Sequence, residues 1–318
     1  MAARATRSAS RAASSSYDDD SRCLLLALSH DELGVIVDGL ADPLRPVVAV
    51  ALSSTCLGLR TPLQAALEVL RQWHEKAEAL CFEARFFFAG PPIGCCMTCA
   101  DLRDAHELDW RFKGLTTEDM GTLGMILRTN GLPMLRRLRL DGNGFGHAGM
   151  QALLEGLVPG SLPAIVMLCL DDNNFGPTGA EALAAALSRG TMRTLKQLDC
   201  SFNYIGDEGM AALAAPLRKM PALKELLVDC GGPEGVASLV AGLGKDDFKA
   251  LTKLSIRFGS NSSGKAYAML TSALDQAAMP KLKQLLVPIR PSGAHVLFQA
   301  ASRRGIEVSP AALRIHEI

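Results

Sequence analysis

Two segments of this 318-residue chain have residue types and spacing that could bind a phosphate or a calcium ion. Residues 259–266 match the phosphate-binding loop G-x-x-x-x-G-K-[ST] except at the end, where Ala266 lacks the hydroxyl that ligates magnesium. Residues 171–176 are similar to a calcium loop, but Phe175 replaces an oxygen ligand and Ala182 stands at the closing glutamate. We therefore expect neither a nucleotide site nor a calcium site.

The densest group of thiols is Cys95, Cys96 and Cys99, with Cys81 and His106 nearby in the sequence. Such a group is typical of half a zinc site or of a redox pair, although a second ligand pair is missing unless Cys81 and His106 supply it. The alternative is buried structural cysteines in a segment that caps the repeats described below. No nucleophile elbow, zinc-helix motif or catalytic triad is present, so we predict no enzyme, cofactor or metal.

Composition excludes several classes of protein. The 33 basic and 33 acidic residues give zero net charge, whereas a generic nucleic-acid binder needs a basic surplus. No apolar run approaches the roughly 18 residues of a membrane span. The nine cysteines follow no secretory signal, which indicates reduced thiols in a cytoplasmic or nuclear protein. The acid-free residues 1–16 are either a disordered tail or a short organelle-targeting segment.

One unit of 28 to 31 residues repeats along the chain, and its periodicity changes halfway. Alternating apolar residues, such as Leu138 and Leu140, share one face of a short strand. An asparagine follows at a turn, then a Gly-x-x-Gly step, then apolar residues at helical spacing such as Met150 and Leu153. Strand, turn and helix units of this length stack side by side. The seven units begin at Ala105, Leu135, Ile165, Leu195, Leu223, Leu251 and Leu282.

This unit resembles the leucine-rich repeat, specifically the long ribonuclease-inhibitor type, over about residues 100–308. The resemblance implies an α/β solenoid with a concave parallel β-sheet and convex α-helices, behind a small all-α N-terminal module. Gly231 and Gly259 stand where asparagine is expected, and Pro288 and Pro291 follow the last strand, so we expect irregular inner turns there. The predicted organisation is a disordered tail (1–20), a helical module (21–80), a linker and cap (81–104), the solenoid (105–308) and a C-terminal tail (309–318).

Side chains that alternate away from the core form three outward rows, at the third, fifth and seventh positions of each unit. Their charges are mixed, with an acidic concentration in the middle units and phenylalanines one place further on. Acidic groups beside aromatic residues are typical of a protein-binding surface. The alternative is a sheet face that is polar only because it is exposed to water. The predicted binding residues are Arg139, Asp141, Cys169, Asp171, Asp199, Phe202, Glu225, Asp229, Arg257 and Phe258.

Apolar spacing predicts helices over residues 31–40, 47–54 and 62–80, and residues 28–60 resemble an F-box. The match is partial, because Ser29 and Leu59 replace the proline and the tryptophan of that family. The resemblance implies docking on the linker subunit of a cullin–RING ubiquitin ligase while the repeats hold a substrate; the alternative is a helical cap on the solenoid. The docking residues carried over are Leu28, Leu33, Ile36, Leu40, Pro43 and Leu44.

The sequence therefore predicts a non-catalytic leucine-rich-repeat protein that binds another protein on its concave face, without nucleic acid or membrane. Three narrower roles stay open: a substrate adaptor of a cullin–RING ligase, a regulator of a small GTPase, and a plain scaffold. The second follows from the repeat type, which Ran-GTPase-activating proteins share, but no residue here can be matched to their activating arginine.

Overall fold

The computed structural model describes residues 35–36, 40–55, 57–83, 98–129, 131–244, 246–259, 263–276, 278–288 and 294–311. Most of the helix predicted over 31–40 lies outside these residues. The N-terminal module contains α1 (Val47–Thr55) and α2 (Leu57–Glu83), and the short α3 (Cys99–Arg103) leads into the first unit. Helix α2 is therefore longer at both ends than the predicted 62–80. No helix in the described ranges combines the length and the apolar character needed to cross a membrane.

The remaining elements form an α/β solenoid, which confirms the predicted fold class. Eight parallel strands pair in chain order within one sheet, so each strand contacts only its sequence neighbours. The strands are β1 (Glu107–Asp109), β2 (Arg137–Arg139), β3 (Met167–Cys169), β4 (Gln197–Asp199), β5 (Glu225–Asp229), β6 (Lys253–Arg257), β7 (Gln284–Val287) and β8 (Glu307–Pro310). The helices between them are α4 (Thr117–Arg128), α5 (Gly146–Leu154), α6 (Gly176–Ser188), α7 (Gly206–Arg218), α8 (Pro233–Val240), α9 (Ser263–Asp275) and α10 (Ala294–Arg303).

Strand β8 continues the sheet to residue 310, past the end of the seventh predicted unit. Its sequence lacks the leucine pattern of the other strands, so the repeat spacing does not predict it. It pairs in parallel with β7, and Val308 lies opposite Leu285. Ile306, just before β8, is buried and closes the C-terminal end of the core.

One continuous apolar core runs through the whole stack, from Leu44 in the N-terminal module to Ile306. The central leucine of each of the first seven strands is at most 2% exposed, because it faces the helices. Each unit contributes only part of this core, so burial of apolar surface between neighbouring units holds the solenoid together.

A ladder of asparagines fixes the inner turns of units two to four, and two of them, Asn173 and Asn203, are fully buried. The side-chain amide of Asn173 donates hydrogen bonds to the carbonyls of Leu140 and Leu170 at 3.0 and 2.8 Å. Its Oδ1 accepts from the backbone N–H of Asn143 at 3.0 Å. Asn203 repeats this pattern one unit later. The asparagine therefore supplies partners to backbone groups that the tight turn would otherwise bury unpaired.

The ladder ends at unit five, where glycine replaces asparagine as the sequence indicated. Asp207, from the preceding unit, takes over part of its role: its Oδ1 accepts the N–H groups of Gly232 and Gly235 at 2.6 and 2.8 Å. In unit six, the N–H of Gly259 donates to the carbonyl of Gly231 instead. Units five and six thus have turns of a different construction, and the turn after Pro288 lies largely outside the described residues.

Candidate functional site

The outward rows of the sheet lie in the register that the repeat spacing predicts. The third-position residues of successive units pair directly, from Glu107 opposite Arg137 to Lys253 opposite Gln284. Each of them is exposed or half-buried, whereas the leucine next to it in the strand is buried. The alternation of a pleated strand therefore separates a polar concave face from the core.

At the N-terminal end of this face, acidic and basic side chains neutralise one another. Arg137 contacts Glu107 at 2.7 Å, and Arg111 contacts Asp109 at 2.7 Å. Arg139, a predicted binding residue, lies 3.8 Å from Glu107 and 4.0 Å from Asp109. Its guanidinium is thus placed among acidic partners of its own chain.

The C-terminal part of the face is paired in the same way. Lys253 lies 3.6 Å from Glu225, and Arg257 lies 3.9 Å from Asp229. The Arg257 guanidinium also stacks over the Phe202 ring, 3.6 Å from its centroid. Three predicted binding residues are therefore joined in one contact group inside the chain, because a cation is attracted both to a carboxylate and to the face of an aromatic ring.

Both predicted aromatic binding residues, Phe202 and Phe258, contact other side chains of the chain. Phe202 is covered by Arg257, and Phe258 packs edge-to-face against Tyr267 with ring centroids 5.4 Å apart. Both rings are half-buried. Phe112 is 64% exposed and its ring lies over Gly142, so it is the phenylalanine that faces solvent at this rim.

Three aspartates in the middle of the face, Asp141, Asp171 and Asp199, form what we call the acidic cluster. Among the described residues, none of the three has a basic side chain within the 4.0 Å of an ion pair. Asp199 accepts the backbone N–H of Ser201 at 3.0 Å. Asp141 is only 8% exposed, and its Oδ1 has no hydrogen-bond donor in the described part of the chain.

Burial raises the pKa of Asp141 to about 8, with a further rise from the neighbouring Asp171 and Asp199 carboxylates and an opposing effect of Arg111. Burial likewise raises the pKa of Asp199 to about 6, against the hydrogen bond from Ser201. Burial is the largest cause of both shifts, and the neighbouring carboxylates add to it. At neutral pH, Asp141 therefore holds a proton for much of the time.

Cys169 lies within the acidic cluster, opposite Asp199 in the fifth-position row. Burial and the Asp141 carboxylate raise the pKa of its thiol to about 12, so the thiol is protonated at neutral pH. Cys169 thus lines the cluster as a weakly polar thiol, and it does not act as a nucleophile or as a thiolate ligand.

The structure buries part of the F-box-like segment, and the docking role of its residues stays a prediction. Ile36 and Leu40 are half-buried, and Pro43 and Leu44 are buried. Leu44 belongs to the core of the solenoid and lies beside Gly131, at the end of α4. Leu28 and Leu33 lie outside the described residues.

The turn around Pro43 is also tied to the rest of the chain by polar contacts. The ring Nδ1–H of His74 donates to the Pro43 carbonyl at 2.7 Å, and Asp42 forms an ion pair with Arg103 on α3. These contacts fix the start of α1 against α2 and against the first unit, as a cap requires.

The cysteine group is only partly described, since Cys95 and Cys96 fall outside the described residues. The buried Cys81 thiol donates a hydrogen bond to Cys99 and lowers the pKa of Cys99 to about 7, against burial and with help from His74. His106 is exposed. Where the structure describes the chain, no three His, Cys, Asp or Glu residues come together in a way that could hold a metal ion.

Residues 131–154, 168–184 and 191–214 match a family model described as Leucine Rich repeat. These are leucine-rich repeats. The match covers units two to four, which are the leucine-rich repeats with the asparagine ladder and which carry the acidic cluster. The other units extend the same parallel sheet in both directions. A search of curated proteins finds no match.

Proposed function

We propose that this leucine-rich-repeat solenoid is a protein-interaction scaffold whose partner binds on the concave face. One observation carries the proposal: the third-position residue is exposed or half-buried in all eight strands, so the face is open along its length. A curved sheet of this kind offers a partner a wide polar surface on a rigid support.

The charge pattern of the face supports binding over the alternative of a merely solvated surface. A solvated face needs only polar residues, and paired charges such as those at both ends satisfy that need. The acidic cluster instead keeps three carboxylates together at a cost in stability, of which the raised pKa of Asp141 is the sign. Residues that are unfavourable for folding concentrate at functional sites.

Blocking the face with bulky side chains tests this proposal. We expect Met167→Trp with Gln197→Trp, both on the concave face, to abolish capture of the binding partners that the full-length chain recovers from cell extract. The matched control is Ala185→Trp with Ala211→Trp, which adds the same two rings at exposed positions of α6 and α7. Equal capture by the concave variant and the wild type would contradict the proposal.

An adaptor role in a cullin–RING ubiquitin ligase is a narrower form of this proposal, based on the F-box resemblance. The burial of Pro43 and Leu44 favours the other hypothesis, and we propose that the N-terminal module caps the first unit. Recovery of cullin-complex subunits, lost in a folded Leu33→Asp, Leu40→Asp variant, would support the adaptor instead. No contact among the described residues favours the GTPase-regulator role.

We also assign the repeats to the long ribonuclease-inhibitor type. The assignment is supported by the unit length and by the full α-helix that follows the strand in units such as β3–α6 and β4–α7.

A further inference from the structure

The acidic residues of the concave face fall into two groups, and the difference between them indicates what the partner contributes. Toward both ends, Glu107 is paired with Arg137, Glu225 with Lys253 and Asp229 with Arg257. Glu307 on β8 accepts a hydrogen bond from the Gln284 amide instead. In the acidic cluster no such neighbour exists among the described residues. Arg111, the basic group that acts on Asp141, is held at 2.7 Å by Asp109 and so does not neutralise the cluster.

A second observation comes from burial. Asp141 is more than nine-tenths buried, and its carboxyl faces that of Asp171, while its Oδ1 has no donor in the described part of the chain. A buried carboxylate oxygen without a donor is costly, and such groups are normally satisfied. Because this carboxyl faces Asp171, a positive charge held at the cluster would offset the cost of keeping the acidic side chains together.

The chain itself shows how this face holds a cation. Arg257 extends from β6 between the carboxylate of Asp229 and the ring of Phe202. The cluster offers the same kind of acceptor two strands away, with three carboxylates and no arginine of its own. A guanidinium or ammonium group that enters from outside would meet there the environment that Arg257 already occupies.

We propose that the acidic cluster binds one basic side chain, an arginine or a lysine, of the protein partner. The proposal rests on the proposed function and specifies the chemistry of the partner. The cation would lie between the half-buried Asp171 and Asp199 carboxylates, beside Asp141. A metal ion is a poorer occupant, because the described residues hold no group with the arrangement of metal ligands.

Selection from a random-peptide library displayed on phage tests the proposal with the full-length chain. We expect the wild type to enrich peptides that contain arginine or lysine several-fold over the input. A variant with Asp141→Asn, Asp171→Asn and Asp199→Asn should lose that enrichment. The matched control, Glu155→Gln with Glu181→Gln and Glu208→Gln, removes the same number of charges at exposed positions on the convex side and should keep it.

A selected peptide then serves as a defined probe. Its affinity should fall by about tenfold or more when the basic residue is replaced by citrulline, which keeps the shape of arginine without its charge. The same loss is expected for the triple Asn variant. The single Asp171→Asn change, at a half-buried position, provides a second test should the triple variant not fold.

The outcomes separate this proposal from the broader one. Equal enrichment of basic peptides by the wild type and the triple Asn variant would overturn the cation site. Selection of peptides without basic residues, abolished by the concave tryptophan variant, would overturn it too and would leave concave-face binding intact. Binding that survives both the tryptophan variant and the triple Asn variant would overturn both proposals.

Discussion

The side-chain oxygen of Asn203 accepts the backbone N–H of Asn173 at 2.9 Å, and Asn173 gives the same acceptor to Asn143 at 3.0 Å. Each asparagine therefore satisfies backbone groups of two neighbouring units at once. The contact links units that share no covalent connection at this point, so the turn of one unit depends on the side chain of the next.

Removal of one ladder residue should show this dependence. We expect Asn173→Ala to lower the free energy of unfolding by about 2–4 kcal/mol, because it leaves buried backbone carbonyls and N–H groups without partners. Urea unfolding followed by circular dichroism measures the change. The control is Asn174→Gly at the adjacent exposed position, where φ is +55° and glycine is tolerated. A similar loss in both variants would contradict the ladder's role.

Close packing between α4 and α5 gives a second prediction. A Cβ atom at Gly124 would lie 2.5 Å from the carbonyl oxygen of Ala152 and 2.7 Å from that of Leu153. Gly124→Ala must push the two helices apart, and we expect it to lower the free energy of unfolding by about 1–3 kcal/mol.

Gly121, one turn earlier on α4, is the matched control. A Cβ there would meet the Cβ of Ala152 at 3.8 Å, an ordinary contact distance. Gly121→Ala should therefore raise the free energy of unfolding by up to about 1 kcal/mol, through helix propensity. The midpoint temperatures of thermal unfolding of the two variants should therefore shift in opposite directions. Equal shifts would contradict the close packing of α4 and α5 at Gly124.

The acidic cluster predicts an unusual dependence of stability on pH. Since burial raises the pKa of Asp141 to about 8, the native state binds more protons than the unfolded chain between about pH 4 and pH 8. The free energy of unfolding therefore falls as the pH rises through that window. Asp171, Asp199, Arg111 and Cys169 are the charged or titratable groups that act on or line this site.

Asp141→Asn should remove this loss. We expect the variant to be more stable than the wild type at pH 8, by on the order of 1–3 kcal/mol, with the difference vanishing below about pH 4. Asp109→Asn should behave oppositely, because the hydrogen bond from Arg111 lowers the pKa of Asp109 and its charge stabilises the fold at neutral pH. If the free energy of unfolding of the wild type and of Asp141→Asn changed with pH in the same way, the raised pKa of Asp141 would be contradicted.

The Cys81–Cys99 contact predicts selective thiol reactivity. Because the pKa of Cys99 is lowered to about 7, its alkylation by iodoacetamide should be half-maximal near pH 7, well before that of buried Cys169. Peptide mapping by mass spectrometry measures each site. Cys81→Ala should move the Cys99 profile to higher pH, whereas Cys81→Ser keeps a donor and should preserve it. A Cys99 profile unchanged in both variants would contradict the contact.

Most of the fold was predictable because its signal is periodic. The spacing of Leu138, Leu168 and Leu198 fixes strand, register and outward rows together, and the structure follows that register. The repeat spacing does not predict strand β8, because that strand has only Val308 in place of the leucine pattern. The end of a solenoid faces solvent on one side, and its sequence is freed from the repeat for that reason.

The site was predictable only in outline. The sequence placed the acidic middle correctly, but it could not show that Phe202 is already covered by Arg257, since that contact joins residues of non-adjacent units. One available signal was missed: Glu225 has a basic residue at the same position of the next unit, whereas Asp141 does not. The burial of Leu44 could not be predicted, because the local sequence of a short helical segment does not specify which element it packs against.

At unit five, Asp207 replaces the asparagine ladder through its contacts with Gly232 and Gly235. The solenoid should therefore unfold in two cooperative parts, one on each side of this junction. A stack in which each unit supports the next unfolds from its weakest junction outward. The junction between units four and five lacks the buried amide that fastens the earlier ones, so opening under force or proteolysis should begin there. Units five to seven would then unfold first, and the acidic cluster would remain in a fragment that is still folded.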